Sequence, residues 1–588
     1  MFAIGFIVGS WLLFAALFVG VGMLARDLGR IAIWGSTIFA PFWVGWACVL
    51  AYLQLWHIAA PIDARVYILP VLLSATGYYR CAPRIRADVR RAIQWCRAAP
   101  LVAALLVGGA VAWTADHALA PVRAYDAGLY QIESIRWVNS YPLVPGLGNL
   151  HGRLAFNSSY YLYVAMLNVG SWAGKGVDIA TSLLLVALIA QMLLSLLHAL
   201  WRRPAPDVAS DPRPYFLALL LAPTVAFALE FGIAGATNDL PMFLLQVVLA
   251  AQVLALLARP HAVVGREAMA NLRAIALIAA AGILVKVSFA LLALPVVGVA
   301  VATSLATRRR ERNHARKVLF ALGGVALLTL LPWMARGVVL SGYLAYPSTL
   351  LSLPVPWKVC EACARRESAL IIGFARTPTR DYLASLGTWR WLEPWYRRTN
   401  CAYVPPLMIA GALSGLAVAQ ARWRGRGLPP TWLLLVPLTV GMAGWFATAP
   451  APRFAGALFW LAAALTVALT FQCRGRAARA AGFVLVSAVA LAYAPRTASA
   501  IVTPVTPGPI RGFYPLPVAQ LRVFTTSSGL KLYAPVPPAL LVWDAPLPST
   551  PYPNRSLRLL CPGDMRWGFT FARVSAFVCG ENTSGEGE

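Results

Sequence analysis

Long apolar runs alternate with short polar connectors along most of this chain, and that rhythm sets the predicted architecture. Runs such as "FAIGFIVGSWLLFAALFVGVGMLA" from residue 2 and "ATSLLLVALIAQMLLSLL" from residue 180 stay apolar over a span's length. About 20 residues of helix cross a bilayer's hydrocarbon core. Backbone amides in lipid need internal partners, so such runs predict helices. The pattern gives an all-α polytopic membrane protein with about 13 to 14 transmembrane helices. The first run has no basic stretch before it and reads as a first span, not a cleavable signal. After residue 497 the periodicity stops. The tail, with "VTPVTPGPIRGFYPLPV", predicts a small β or irregular domain.

Charge orients this picture. The formal net charge is +28, from 50 Lys and Arg against 22 Asp and Glu. The basic residues gather in connectors such as "RCAPRIRADVRRAIQWCR" (80–97), "WRRPAPDVASDPRP" (201–214), "RRRERNHARK" (308–317) and "CRGRAAR" (473–479). Short basic loops are the mark of the cytoplasmic side, so the charge points to a membrane and not to nucleic acid. The opposite side then receives 119–176, the turn near 233–240, the loop 337–402, 448–454 and the tail. Parity requires that 160–172 not span and that 274–304 hold two short spans meeting near Lys286. The chain divides into an N-terminal transmembrane module (1–98), a transmembrane core (99–497) and an extracytoplasmic domain (498–588). The Arg-rich composition suits a bacterial inner membrane. The nine cysteines show no zinc spacing; Cys360 with Cys363, and Cys561 with Cys579, are candidate disulfides on the outer side.

The most informative stretch is "AYDAGLYQIESIRWVNSYPLVPGLGNLHGRLAFNSSYY", residues 124–161. On one regular helix over 126–140, Asp126, Tyr130, Glu133, Trp137 and Ser140 share a face. Leu129, Ile132, Ile135 and Val138 form the neighbouring apolar stripe, as on a helix lying at the membrane surface. Pro142, Pro145, Gly146, Gly148 and Gly152 then break the helix into a loop presenting Asn149, His151, Arg153 and Asn157. Surface loops and interfacial aromatics have this composition as well.

That stretch, with "TNDLP" (237–241), "LVKVSFALLALP" (284–295), "LSGYLAYPS" (340–348), "VPWK" (355–358) and "PRF" (452–454), resembles the C-type glycosyltransferase superfamily (GT-C). These are membrane enzymes that use polyprenyl-phosphate-linked sugars; the resemblance covers most of residues 105–460. It implies a GT-C-like core with an extracytoplasmic active site. Two features depart from the pattern. About four apolar segments precede the acidic loop instead of one, and Gln131 stands where His is frequent.

The resemblance implies roles for single residues. Asp126 is the expected general base, with Glu133 and Asp239 as further acids of the catalytic group. Asp239 also suits a plain helix N-terminus. Lys286, Arg336 and Arg453 are expected at the donor phosphate; an interfacial cation also anchors a helix or snorkels. Tyr130, Asn149, His151, Arg153, Asn157 and Tyr343 are candidates for sugar or acceptor. Tyr346, Trp357, Lys358, Trp389 and Trp391 suit either sugar stacking or interface anchoring. Some GT-C enzymes use Mg or Mn, and Asp126, Glu133 and Asp239 would be its oxygen ligands here. The implied reaction moves a sugar, with inversion, from a polyprenyl phosphate to a hydroxyl of a glycan, lipid or protein. Two rival readings are a transporter or flippase of lipid-linked saccharides and a polysaccharide polymerase or ligase. A transporter predicts repeat symmetry, which the sequence does not display.

Overall fold

The computed structural model describes residues 2–29, 31, 38–96, 100–201, 211–258, 266–306, 313–379, 382–425, 427–471, 476–493 and 512–571. Residues 202–210, 308–312 and 473–475 of the basic connectors fall outside these residues, as does Cys579.

The chain opens with α1 (Phe2–Gly29), α2 (Phe39–Ala59), α3 (Ile68–Cys96) and α4 (Pro100–Ala118). A broken segment follows, with α5 (Ile132–Ser140), α6 (Leu147–Leu150) and α7 (Tyr160–Met166). The core continues through α8 (Gly176–Trp201), α9 (Arg213–Leu219), α10 (Leu221–Phe231), α11 (Asp239–Ala258), α12 (Arg266–Val285), α13 (Ala290–Ala306) and α14 (His314–Ser341). It closes with α15 (Glu361–Arg376), α16 (Leu392–Trp423), α17 (Leu435–Thr448), α18 (Pro452–Ala455), α19 (Leu458–Phe471) and α20 (Arg476–Tyr493).

Among the described residues, ten helices are long and apolar enough to cross a membrane, and Met269–Val285 and Leu458–Phe471 are shorter apolar helices. On length and composition this is a multi-pass membrane protein. The count falls short of 13 to 14 for a physical reason. α3 is apolar only before Arg80, and α20 spends its first turn on Arg476 and Arg479. The two breaks that parity requires are present. α7 has seven residues, far too few to span. The chain between α12 and α13 breaks at Lys286, whose backbone is extended.

The N-terminal helices are built into the bundle. Trp11 Nε1 donates to Ser182 Oγ at 3.1 Å, and Gln54 reaches the Thr329 carbonyl at 3.4 Å. α11 runs through the centre, with 94% of its apolar window buried.

All the long loops meet at one end of the bundle, and the C-terminal region 512–571 sits on them. It contains two antiparallel pairs, β1 (Leu521–Thr525) with β2 (Lys531–Pro535), and β3 (Arg558–Leu559) with β4 (Phe569–Thr570). This agrees with the expected small β and irregular tail. Its backbone bonds directly to the 124–161 stretch. Val542 and Trp543 N–H both donate to the Gly128 carbonyl at 2.9 Å, and Phe569 N–H donates to Pro145 at 3.0 Å. Arg136 bridges to Asp544 at 2.6 Å. Cys360 and Cys363 form a disulfide at the start of α15. Cys561 is disulfide-bonded as well.

Candidate functional site

Residues 126–140 do not form the single regular helix that the spacing predicts. Ala127–Gln131 form a π turn, in which the Ile132 N–H bonds to the Ala127 carbonyl five residues back. The extra residue rotates everything after it by about 100° relative to Asp126. Asp126 and Glu133 therefore part company. Nor does this segment lie half-exposed at a surface. Leu129, Ile132, Ile135 and Val138 are buried below, and the C-terminal region covers the other side.

Asp126 directly precedes the π turn and meets two guanidinium groups. Arg153 donates to its Oδ1 at 3.0 Å, and Arg453 approaches its Oδ2 at 3.4 Å. The other edge of Arg153 is held by Glu367 of α15, Nε to Oε1 at 3.1 Å. Tyr130 lies beneath Arg153, with its ring 5.7 Å from the guanidinium carbon. Burial and then the Asp126 charge push its hydroxyl up to about 12, so it remains a neutral donor.

A second ion pair completes the cluster. Lys286 bonds to Asp239, the first residue of α11. Thr237 Oγ1 donates to the other carboxylate oxygen at 3.4 Å. The ammonium sits 4.2 Å from the centre of the Phe454 ring, and Arg453 lies 4.8 Å from that same ring. Arg453 and Asp126 also act on Lys286 through space. Tyr161 lies within the field of both Asp126 and Asp239; burial first, then its neighbour Tyr130, and then those charges raise its hydroxyl well above the usual value. Three acids thus meet three cations at the loop end of the bundle. The side chains of Arg453, Arg153 and Asp126 keep 32%, 27% and 25% exposure, so the cluster is open to a ligand.

The structure thus brings together Asp126, Asp239, Lys286, Arg453, Arg153 and Tyr130. It places the other expected residues elsewhere. Glu133 is buried against Ser549 of the C-terminal region and Trp137, and burial pushes its carboxyl up to about 8. Asn149 donates to the carbonyls of Trp357 at 2.8 Å and Phe569 at 3.0 Å, which fastens the loop to its lid. His151 packs on Tyr552 with ring centres 5.5 Å apart, and burial, with Arg153 adding, lowers its pKa to about 3. Asn157 takes a left-handed backbone, φ 51°, and bonds to the Trp333 carbonyl and to Arg336. Arg336 is buried on α14, bonded to Asn157 and His57 and to none of the cluster's acids. Tyr343 is fully buried and donates to the Val359 carbonyl.

The aromatic candidates divide too. Trp357 holds the Val338 carbonyl and Lys358 holds Ser352, whereas Trp389 is exposed and stacked on Trp391. Asp126, Glu133 and Asp239 do not converge on one point. Among the described residues no group of three or more His, Cys, Asp or Glu is placed to hold a metal ion. Sequence reasoning missed Glu367, Tyr161 and Phe454 as members of the cluster.

Residues 5–460 match the family described as Domain of unknown function (DUF8201), and the chain belongs to that family. No curated protein and no solved structure matches the chain.

Proposed function

We propose that this member of the DUF8201 family is a membrane glycosyltransferase that takes a sugar from a polyprenyl phosphate and passes it to an acceptor hydroxyl. The observation that carries this reading is the grip of Arg153 and Arg453 on Asp126 beside the Lys286–Asp239 pair. The resemblance of the surrounding strings to GT-C enzymes supports it, and so does the position of the cluster at the edge of the apolar bundle. An isoprenoid chain stays in lipid there while its phosphate reaches the cations.

The chemistry follows from the contacts. The donor phosphate competes with Asp126 for Arg453, the most exposed cation of the cluster, whose planar fork suits phosphate oxygens. Lys286 adds a second positive charge toward the same oxygens. Losing Arg453 frees Oδ2 of Asp126, because one of its two cationic partners has turned away. Arg153 stays, tied back by Glu367, and aims the carboxylate. Asp126 then takes the acceptor's proton as the hydroxyl oxygen bonds to the anomeric carbon. The bond from that carbon to the phosphate oxygen breaks, and its electron pair leaves with the polyprenyl phosphate. Attack opposite the leaving group inverts the anomeric centre. The cations stabilise the departing charge. No covalent enzyme intermediate is required.

In this reading the site faces the extracytoplasmic side of a bacterial inner membrane, opposite the basic connectors. The test is reconstitution: purified protein in liposomes with a radiolabelled polyprenyl-phosphate sugar and membrane extract as acceptor. Release of polyprenyl phosphate with label in product supports transfer. Label that only moves between leaflets, still on its lipid, supports a flippase and removes the transferase reading.

A further inference from the structure

Beneath the cluster lies a second, sealed assembly that the proposed reaction does not use. Arg336, 3% exposed, extends from α14 under the 126–157 loop. Its Nε donates to Asn157 Oδ1 at 3.3 Å, and one terminal amino group meets His57 Nδ1 at 2.7 Å. A guanidinium has no acceptor, so Nδ1 must accept and the His57 ring is neutral, with its proton on Nε2. Neither partner supplies negative charge. Among the described residues no carboxylate pairs with Arg336, and its second amino group meets no protein acceptor.

A buried, unpaired cation costs several kcal/mol, because the low-dielectric interior replaces its hydration poorly. Evolution commonly answers with an acid. The protein here offers space instead. A cavity of about 30 Å³ adjoins Arg336, with polar lining from His57, Ser134, Asn157, Ser158 and Tyr161 and apolar walls from Val144, Leu147 and Leu154. One water needs roughly 10–15 Å³ of such space, so the cavity has room for about two waters or one halide. All five polar lining residues and Arg336 are at least nine-tenths buried.

We propose that this cavity is a binding site for a chloride-sized monovalent anion, held by Arg336, the His57 Nε2–H and the second amide N–H of Asn157, since the Ser134 and Ser158 hydroxyls already donate to the Tyr130 and Val285 carbonyls. Two waters fill the space but leave the charge unmatched. A single positive charge matches a single negative one, which favours a halide over a phosphate dianion. The site has a structural consequence. Asn157 is fixed in its left-handed conformation by Arg336 and the Trp333 carbonyl. Ser158 and Ser159 then bond to the Val285 and Leu284 carbonyls, directly before Lys286. An anion beside Arg336 therefore braces the floor under the exposed cluster.

The experiment uses the full-length protein in detergent. Thermal unfolding is followed in sodium chloride and in sodium gluconate at equal ionic strength, with chloride titrated between them. A midpoint that rises and saturates with chloride is expected, because a ligand that binds only the folded state stabilises it by mass action. Arg336→Gln is expected to lose the rise. Since that variant removes two buried hydrogen bonds and is at risk of misfolding, a second measurement uses unaltered protein. Crystals grown in bromide should show an anomalous peak within contact distance of the Arg336 guanidinium. Equal midpoints in the two salts, an Arg336→Gln protein that keeps the full chloride shift, or a cavity without bromide overturns the proposal.

Discussion

Two arginine-centred assemblies lie one above the other at the loop end of this bundle, and they differ in one respect that decides what each can do. In the upper one, Arg153 and Arg453 meet Asp126, and Lys286 meets Asp239; the arginine side chains keep 27% and 32% exposure. In the lower one, Arg336 is sealed and its partners, His57 and Asn157, are neutral. Exposed cations that already share an acid can exchange that acid for an incoming phosphate. A sealed cation cannot, and serves to fix the backbone around it. Position in the fold, more than residue type, separates a chemical arginine from a structural one.

The sharpest way to break this comparison is to remove one cation from each assembly. Lys286→Met strands Asp239, which is 6% exposed, and is expected to cost roughly 3–5 kcal/mol of stability in denaturant titration. Asp239→Leu added to it should recover much of that loss. Arg336→Met strands no acid and should cost less; an equal loss would mean that Arg336 has an acidic partner after all. Next in size is Arg453→Ala, which should lower kcat/KM for the lipid donor by roughly 10- to 150-fold, the value of 1.5–3 kcal/mol in charge-assisted bonds. The fold should survive, since Arg453 is partly exposed. A kcat/KM unchanged within twofold would take Arg453 out of phosphate binding.

A smaller effect tests the lid. Gly128→Ala would place a Cβ 2.6 Å from the Trp543 ring, and overpacking of this kind costs about 1–3 kcal/mol. Proteolysis should then cut 512–571 faster than in the parent, while the bundle stays intact. A separate effect is pH-dependent. Glu133 has its carboxyl raised from 4.5 to about 8 by burial. A raised folded-state value favours the protonated form, so the stability it contributes is whole below pH 4.5 and falls as pH rises toward 8. Glu133→Gln should flatten that dependence in unfolding midpoints measured from pH 5 to 8.

What the sequence disclosed follows a physical rule. Lys286 was legible because a charge inside an apolar run demands a break or a partner, and it has both. Asp239 and Arg453 stand out for the same reason, as charges at the edges of apolar runs. Glu133 was misplaced because a π turn leaves no compositional mark, yet adds one residue to the helical count. Asn149 and His151 read as ligand-facing groups in the sequence because a Gly-rich loop looks alike whether it meets a ligand or a lid. Their partners, Phe569 and Tyr552, lie about 400 residues downstream, beyond any local pattern. Glu367 was invisible for the opposite reason. It sits in "CEACARRESAL", among other charges, where one more acid carries no signal.

The central claim is that Asp126 is the base of a sugar transfer, and one pair of measurements on a single variant tests it. Asp126→Asn keeps the side chain's shape and a hydrogen-bond acceptor for Arg153. Transfer from a labelled polyprenyl-phosphate sugar should fall about 10²- to 10⁴-fold, the usual contribution of a general base, while donor binding stays within a few-fold of the parent. Near-normal transfer by the asparagine protein, at equal abundance in the membrane, would contradict the account.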